Sequence, residues 1–251
     1  MTNFSANLGF LWSERPLPDA IHAAKAAGFD AVECHWPYET PAEDVKVALD
    51  ETGLPMLGLN TIRGNPCENG LASLTGRSVE ARAAIDQAIR YADIVDAGAI
   101  HVMAGFGTGP AARATFEENL EYATSRTHRT ILIEPLNRHD APGYFLQTTG
   151  QAAGIIHSIG APNLRLMFDC YHVGRSEGDI LTRLDDLLPL IGHIQFASVP
   201  DRGAPDHGEL NYVEIFAHIA TLGWRMPLGA EFKPRDDDEI SRWLTAFRSG
   251  A

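Results

Sequence analysis

Cysteine is scarce in this chain of 251 residues. Cys34, Cys67 and Cys170 are odd in number and far apart, which fits neither a disulfide framework nor a Cys-x-x-Cys zinc pair and leaves reduced thiols, mostly packing residues. Basic residues are also few: 20 Lys and Arg stand against 33 Asp and Glu, a formal net charge of −13. Such a surface repels phosphate backbones, and no Lys/Arg cluster supplies a local groove to offset it, so nucleic acid is not an expected ligand. No apolar run approaches the ~18 residues of a membrane span. The opening MTNFSANLGFLW lacks the basic segment of a signal peptide, so the expected location is cytoplasmic, with no membrane partner. Low-complexity tracts are missing too, and 45% hydrophobic with 21% charged residues is the balance of a folded, soluble protein.

What the sequence does have is a recurring junction. Helical periodicity ends at a glycine, a short gap follows, and an apolar run begins, as in AAKAAGFDAVEC, LDETGLPMLGLN, IVDAGAIHVMAG, SIGAPNLRLMFD and TLGWRMPLGAEF. Gly28, Gly53, Gly98, Gly160 and Gly223 stand where a helix would stop in a left-handed residue that glycine adopts cheaply. Reading outward from them predicts strands near 4–8, 30–34, 55–60, 99–104, 130–134, 164–169, 193–198 and 227–232. Helices are predicted near 17–27, 41–52, 78–97, 111–126, 148–159, 178–187, 211–222 and 237–248, with starts at Pro18 or Asp19, Ser78, Thr149 and Asn211. Several of the strands are nearly continuous apolar runs, as parallel strands covered on both faces should be. Eight βα units without a linker predict a single (β/α)8 TIM barrel spanning 1–251, for which this length is ordinary; an open doubly wound sheet is the second architecture.

In such a barrel the active site lies at the carboxyl ends of the strands, where a polar residue ending an apolar run is informative. RTILIEPLNRH ends strand 5 in Glu134, followed by a proline that cannot extend it; LRLMFD ends strand 6 in Asp169; GHIQF carries Gln195 on strand 7; PLGAEF carries Glu231 on strand 8. Taken alone, each acid reads as a helix cap or surface charge, and Gln195 equally as a partner for neighbouring backbone. Together, three carboxylates and an amide at one mouth need a counter-charge. Four oxygen donors without thiolate point to one divalent ion, Mg²⁺ or Mn²⁺. His172, three residues after Asp169, is either a substrate donor, a partner to a ligand, or structural. His101 is expected to open strand 4 and be structural. Trp12, Trp36 and Tyr144 either stack a small sugar or simply pack.

The segments EPLNRHDAPGYFL, DCYHVGRSEGD, PDRGAPDHGELNY and GAEFKP, with ANLGFLW, AGFDAVE, LNTIRGN and HVMAG in the same order, resemble the hydroxypyruvate isomerase family within the xylose isomerase-like barrels. The resemblance implies a metal held by Glu134, Asp169, Gln195 and Glu231, with Glu134 and Glu231 doubling as acid and base. It also implies that His172 contacts a substrate oxygen and that Arg202 anchors the anionic or hydroxyl end of the ligand. Where the family commonly has Arg-His-Glu-Pro, this chain has Arg202-Gly203-Ala204-Pro205, which would leave room at the mouth.

The chemistry expected of such a site is an aldose–ketose type interconversion through an enediolate, hydroxypyruvate giving tartronate semialdehyde. Arg202 or Lys233 would balance the substrate carboxylate. A four-carbon 2-oxo sugar acid (2-dehydrotetronate) and a ketose 3-epimerase reaction are the alternatives within the class. Outside it stand a metal-dependent hydrolase on the same barrel and a non-catalytic sugar-acid binding protein. Homo-oligomers are compatible with the fold.

Overall fold

The computed structural model describes residues 2–249. Its strands are β1 (Phe4–Asn7), β2 (Ala31–Cys34), β3 (Met56–Asn60), β4 (Ala99–His101), β5 (Thr130–Ile133), β6 (Leu164–Asp169), β7 (Ile191–Phe196) and β8 (Leu228–Ala230). Every neighbouring pair is parallel, and β1 pairs with both β2 and β8, so the sheet closes in sequence order. Around it run α1 (Leu17–Ala27), α2 (Ala42–Thr52), α3 (Ser78–Val95), α4 (Gly109–Arg126), α5 (Thr149–Ile159), α6 (Cys170–Ser176), α7 (Ile180–Leu187), α8 (Tyr212–Thr221) and α9 (Asp237–Ser249). This is the closed (β/α)8 barrel. Among the described residues, no helix is long and apolar enough to cross a membrane.

The glycine junctions do what the pattern requires at Gly28, Gly53, Gly160 and Gly223, all at positive φ. Gly98 differs. The left-handed residue that ends α3 is Asp96, φ 54°, whereas a Cβ on Gly98 would lie 3.2 Å from the Leu57 carbonyl oxygen. Here glycine serves close backbone approach between β3 and β4. Side-chain caps explain two other starts: Thr148, not Thr149, accepts from the Gln151 N–H, and Asn211 accepts from the Glu214 N–H. The short helix α6, absent from the sequence-based expectation, begins immediately after Asp169, whose Oδ1 accepts from the Tyr171 N–H at 2.8 Å. Seven residues are too few for an apolar period to declare itself.

Between the barrel and helices α8 and α9, Phe4 packs edge-on against Phe196, Phe216 and Trp243, with ring centroids 5.2–5.8 Å apart. Inside the barrel one position has no room at all. A Cβ on Gly229 of β8 would stand 2.6 Å from Glu33 Oε1 and 2.9 Å from His193 Nε2, so only glycine lets these buried polar groups meet. Gly229→Ala is therefore expected to destabilise by ~1–3 kcal/mol through overpacking. Gly154→Ala, in the middle of α5 with open space around its Cβ, should stabilise by ~0.5–1 kcal/mol. Urea-unfolding midpoints of the two variants, moving in opposite directions, check the assignment.

Candidate active site

Glu134 follows the last residue of β5, Asp169 is the last of β6, Gln195 lies on β7 and Glu231 directly follows β8. All four are buried. Glu134, Gln195 and Glu231 line a cavity of about 320 Å³ at the carboxyl ends of the strands, together with His172 and Arg202. One donor atom each from Glu134, Asp169 and His172 falls within 4.8 Å of the others.

The orientation of each polar group is fixed by its neighbours. Gln195 donates Nε2 to Glu33 Oε1 at 2.9 Å and to Glu231 Oε2 at 2.5 Å. Its nitrogen is thus held between two carboxylates, and its Oε1 is left buried without a partner. Asn7 of β1 works alongside: its Oδ1 accepts from the Gly9 N–H, and its Nδ2 donates to Glu33 Oε1 at 3.0 Å and Glu231 Oε2 at 2.7 Å. Beneath them Glu33 bonds His193 Nε2. Glu134 Oε1 and Asp169 Oδ2 are likewise buried and unpartnered. Three orphaned acceptor oxygens, each costly to desolvate alone, are what a hard cation would satisfy.

The same crowding divides the carboxylates. Burial, then the charges of Glu231 and Asp169, push the Glu134 carboxyl well above its ordinary value. Burial and Glu231 raise Asp169 to about 7. Glu231 is also pushed up by burial, but the His35 ring, with Nε2 3.7 Å from Oε1, and the Arg202 guanidinium prevail and hold it at about 2. Arg202 Nη2 donates to Glu231 Oε1, and its guanidinium carbon lies between the rings of Phe10 and Tyr171, 4.6 and 4.9 Å from their centroids. Arg202 itself sits at φ 58°.

His172 is oriented by the loop after β5. The Asn137 backbone N–H and side-chain Nδ2 both approach His172 Nδ1, at 3.0 and 2.8 Å, while Asn137 Oδ1 accepts from the backbone N–H groups of His139 and Asp140. The amide orientation is thereby set, so Nδ1 accepts and the ring proton resides on Nε2. That atom faces Asp169 Oδ2 at 3.7 Å and Glu134 Oε1 at 3.9 Å. Burial, reinforced by Arg202, lowers His172 to about 3, so it enters the site as a neutral donor.

Other expectations change. His101 ends β4 rather than opening it, and its ring is buried, lines the cavity and lies 3.7 Å from Glu134 Oε2. The strand is only three residues long, so what seemed its start is its functional end. Lys233 is exposed and is not among the cavity-lining residues; only its backbone N–H meets the Arg202 carbonyl. Gly203 and Ala204 do not line the cavity either. Ala204 is buried in the core, and the His207 ring, with Cε1 2.9 Å from where a Gly203 Cβ would stand, fills the space beside it. Of the aromatics, Trp36 lines the cavity, whereas Trp12 packs on Phe29, and the Tyr144 hydroxyl receives the Ala104 N–H. Asn7, Glu33, His35, His193 and Arg63 were not singled out in the sequence. Glu33 and His193 sit inside apolar strands, AVEC and IGHIQF, and a charged residue within such a run was the available signal.

A model of the xylose isomerase-like TIM barrel matches residues 21–248. The chain belongs to that family. Its relatives include the 2-oxo-tetronate isomerase of Cupriavidus necator, 41% identical over 94% of each chain, and the hydroxypyruvate isomerase of Escherichia coli, 34% identical over 99% of this chain and 100% of that one. Among solved structures, a Brucella melitensis protein described as an AP endonuclease of family 2 superposes with a TM-score of 0.94 at 33% identity, covering 99% of both chains. An E. coli 3-keto-D-glucoside 4-epimerase shares the fold, with a TM-score of 0.83 at 21% identity.

The tautomer of His172 is directly observable. Nitrogen-15 NMR of the folded protein should show Nε2–H with an unprotonated Nδ1, unchanged between about pH 5 and 8 because the folded value lies far below the ordinary ~6.5. A ring that protonates near pH 6.5 would contradict the geometry.

Proposed function

We propose that the chain is a divalent-metal-dependent isomerase of a small 2-oxo acid carrying a hydroxyl on the neighbouring carbon, with hydroxypyruvate and tartronate semialdehyde as the interconverting pair. The observation that carries this reading is a set of three buried oxygens without a hydrogen-bond partner, on Glu134, Asp169 and Gln195, with ligand atoms of Glu134 and Asp169 within 4.8 Å of each other and Gln195 bonded to Glu231. The donor set is all oxygen, which suits Mg²⁺ or Mn²⁺. His172 is excluded from it because its inward nitrogen carries the proton. A bound ion would stabilise negative charge growing on two adjacent substrate oxygens.

The chain's own groups then divide the proton work. Glu134, whose Oε1 would go to the ion and whose carboxyl has a raised affinity for protons, uses Oε2 to remove the proton from the hydroxyl-bearing carbon and return it to the adjacent one. Glu231, saturated by donors from Asn7, Gln195 and Arg202, serves the oxygen side, where a proton leaves one substrate oxygen and reaches the other. His172 Nε2–H steadies a substrate oxygen, and Arg202 holds Glu231 and the inner end of the ligand. Oligomeric state and cytoplasmic location play no part in this chemistry.

A four-carbon 2-oxo acid is the second reading, favoured by the 41% identity to a 2-oxo-tetronate isomerase. Nucleic-acid hydrolysis finds less support: the chain carries a net charge of −13, and the mouth is lined by acids that would repel a phosphate backbone.

Hydroxypyruvate incubated with the protein and Mn²⁺ in D₂O should take up deuterium beside the carbonyl. Chelation should abolish this and Mn²⁺ restore it. Glu134→Gln and Glu231→Gln should each slow turnover by at least ~10²-fold, the lower range for general acid–base catalysis. Asp169→Asn, which keeps the Oδ1 acceptor for the Tyr171 N–H but removes the charge, should lose most Mn²⁺ affinity, measured by titration calorimetry, while keeping its unfolding midpoint near the parent's. Full turnover by protein shown to be metal-free, or faster exchange into a neutral ketohexose than into either acid, would overturn the proposal.

A further inference from the structure

We propose that Arg63, on the loop after β3, receives the substrate's carboxylate and thereby sets the preference for acids over neutral sugars. The inference rests on the reaction proposed above and assigns the recognition step within the same cavity. In a closed sheet of eight strands, β3 and β7 lie four strands apart, so the loops following them face each other across the mouth. Arg63 follows the first and Arg202 the second, and among the described residues these are the two Lys or Arg side chains lining the cavity.

Arg202 is already committed. It is bonded to Glu231, lies 3.8 Å from Asp169 Oδ2 and 3.9 Å from Asp140 Oδ2, and is held between two aromatic rings. Its charge answers the acids of the protein. Arg63 makes no ion pair with an acid among the described residues. Its Nε and Nη2 donate to Asn69 Oδ1 at 3.1 and 2.6 Å, Nε also reaches the Glu68 carbonyl at 3.3 Å, and Nη1 makes no hydrogen bond there. Neutral acceptors orient the fork without cancelling its charge.

The guanidinium carbon lies 4.7 Å from the centroid of the Trp36 ring, and Trp36 is itself tied through Nε1 to Met103 Sδ at 3.3 Å. A planar cation placed over an anchored indole, with Nη1 unbonded, suits a carboxylate. It also counters the repulsion an anionic substrate meets from Glu134, Asp140 and Glu231. The carboxylate is thus held at the rim on Arg63, and the reacting carbons point inward to Glu134.

The test compares hydroxypyruvate with dihydroxyacetone, in which a hydroxymethyl group replaces the carboxylate next to the same carbonyl. In the Mn²⁺-loaded enzyme, Arg63→Ala should raise the KM for hydroxypyruvate about 10- to 100-fold, the loss expected of a charge-assisted hydrogen bond, with kcat falling far less. Arg63→Lys should lie between the parent and Arg63→Ala. Deuterium exchange into dihydroxyacetone should change by no more than about twofold. Binding of racemic glycerate, which has the carboxylate but no carbonyl to react, separates this inference from the proposed reaction: its Kd should rise about tenfold or more in Arg63→Ala even if the parent fails to turn over hydroxypyruvate. An unchanged KM and glycerate Kd, absence of glycerate binding by the parent, or equal losses on the acid and the neutral ketone would overturn the assignment, the last by making Arg63 a support for the loop.

Discussion

Four carboxylates, Glu33, Glu134, Asp169 and Glu231, are buried in the upper half of one barrel, and the constraint of keeping them there governs the rest of the site. Each buried charge costs several kcal/mol unless it is paired and hydrogen-bonded. The chain meets this cost in layers. At the bottom Glu33 draws His193, against the effect of burial, towards its protonated form. In the middle the amide nitrogens of Asn7 and Gln195 bridge Glu33 and Glu231. At the top Arg202 pairs with Glu231. After these partners are counted, one oxygen each of Glu134, Asp169 and Gln195 remains without a hydrogen bond, and Glu134 and Gln195 line the substrate cavity.

This layering separates two tasks. The inner groups stand on strands or directly follow them. Asn7, Glu33, Gln195 and Glu231 are fixed by two or three side-chain hydrogen bonds each, which gives the site rigid walls for proton transfer over short distances, while Glu134 and Asp169 keep an oxygen without a hydrogen bond. The outer groups stand on loops. Arg63, Asn69 and Trp36 surround the mouth on segments whose sequence can change without disturbing the barrel, so that recognition is varied separately from chemistry.

The barrel was legible in the sequence because its signals are local and repeated: a glycine after five of the eight predicted helices, and an apolar run after each of those glycines. The strand-end acids were legible for the same reason, since Glu134 and Asp169 terminate runs of apolar residues. Glu33 and His193 escaped notice because they belong together only across the barrel, from β2 to β7, a pairing no local pattern encodes. His101 was misplaced because a three-residue strand gives its end no room to differ from its beginning. Lys233 looked suitable by charge and position alone, but its side chain is exposed and outside the cavity lining. Gly203 and Ala204 looked like empty space at the mouth, yet the local fold turns one towards His207 and buries the other in the core.

The most direct test is a crystal structure of the protein grown with Mn²⁺, with anomalous scattering recorded at the manganese edge. The account predicts one ion touching Glu134, Asp169, Glu231 and the oxygen of Gln195, with the Gln195 nitrogen still directed at Glu33 and His172 outside the coordination shell. An ion bound elsewhere, coordination by His172, or a Gln195 amide turned with its nitrogen towards the ion would contradict it.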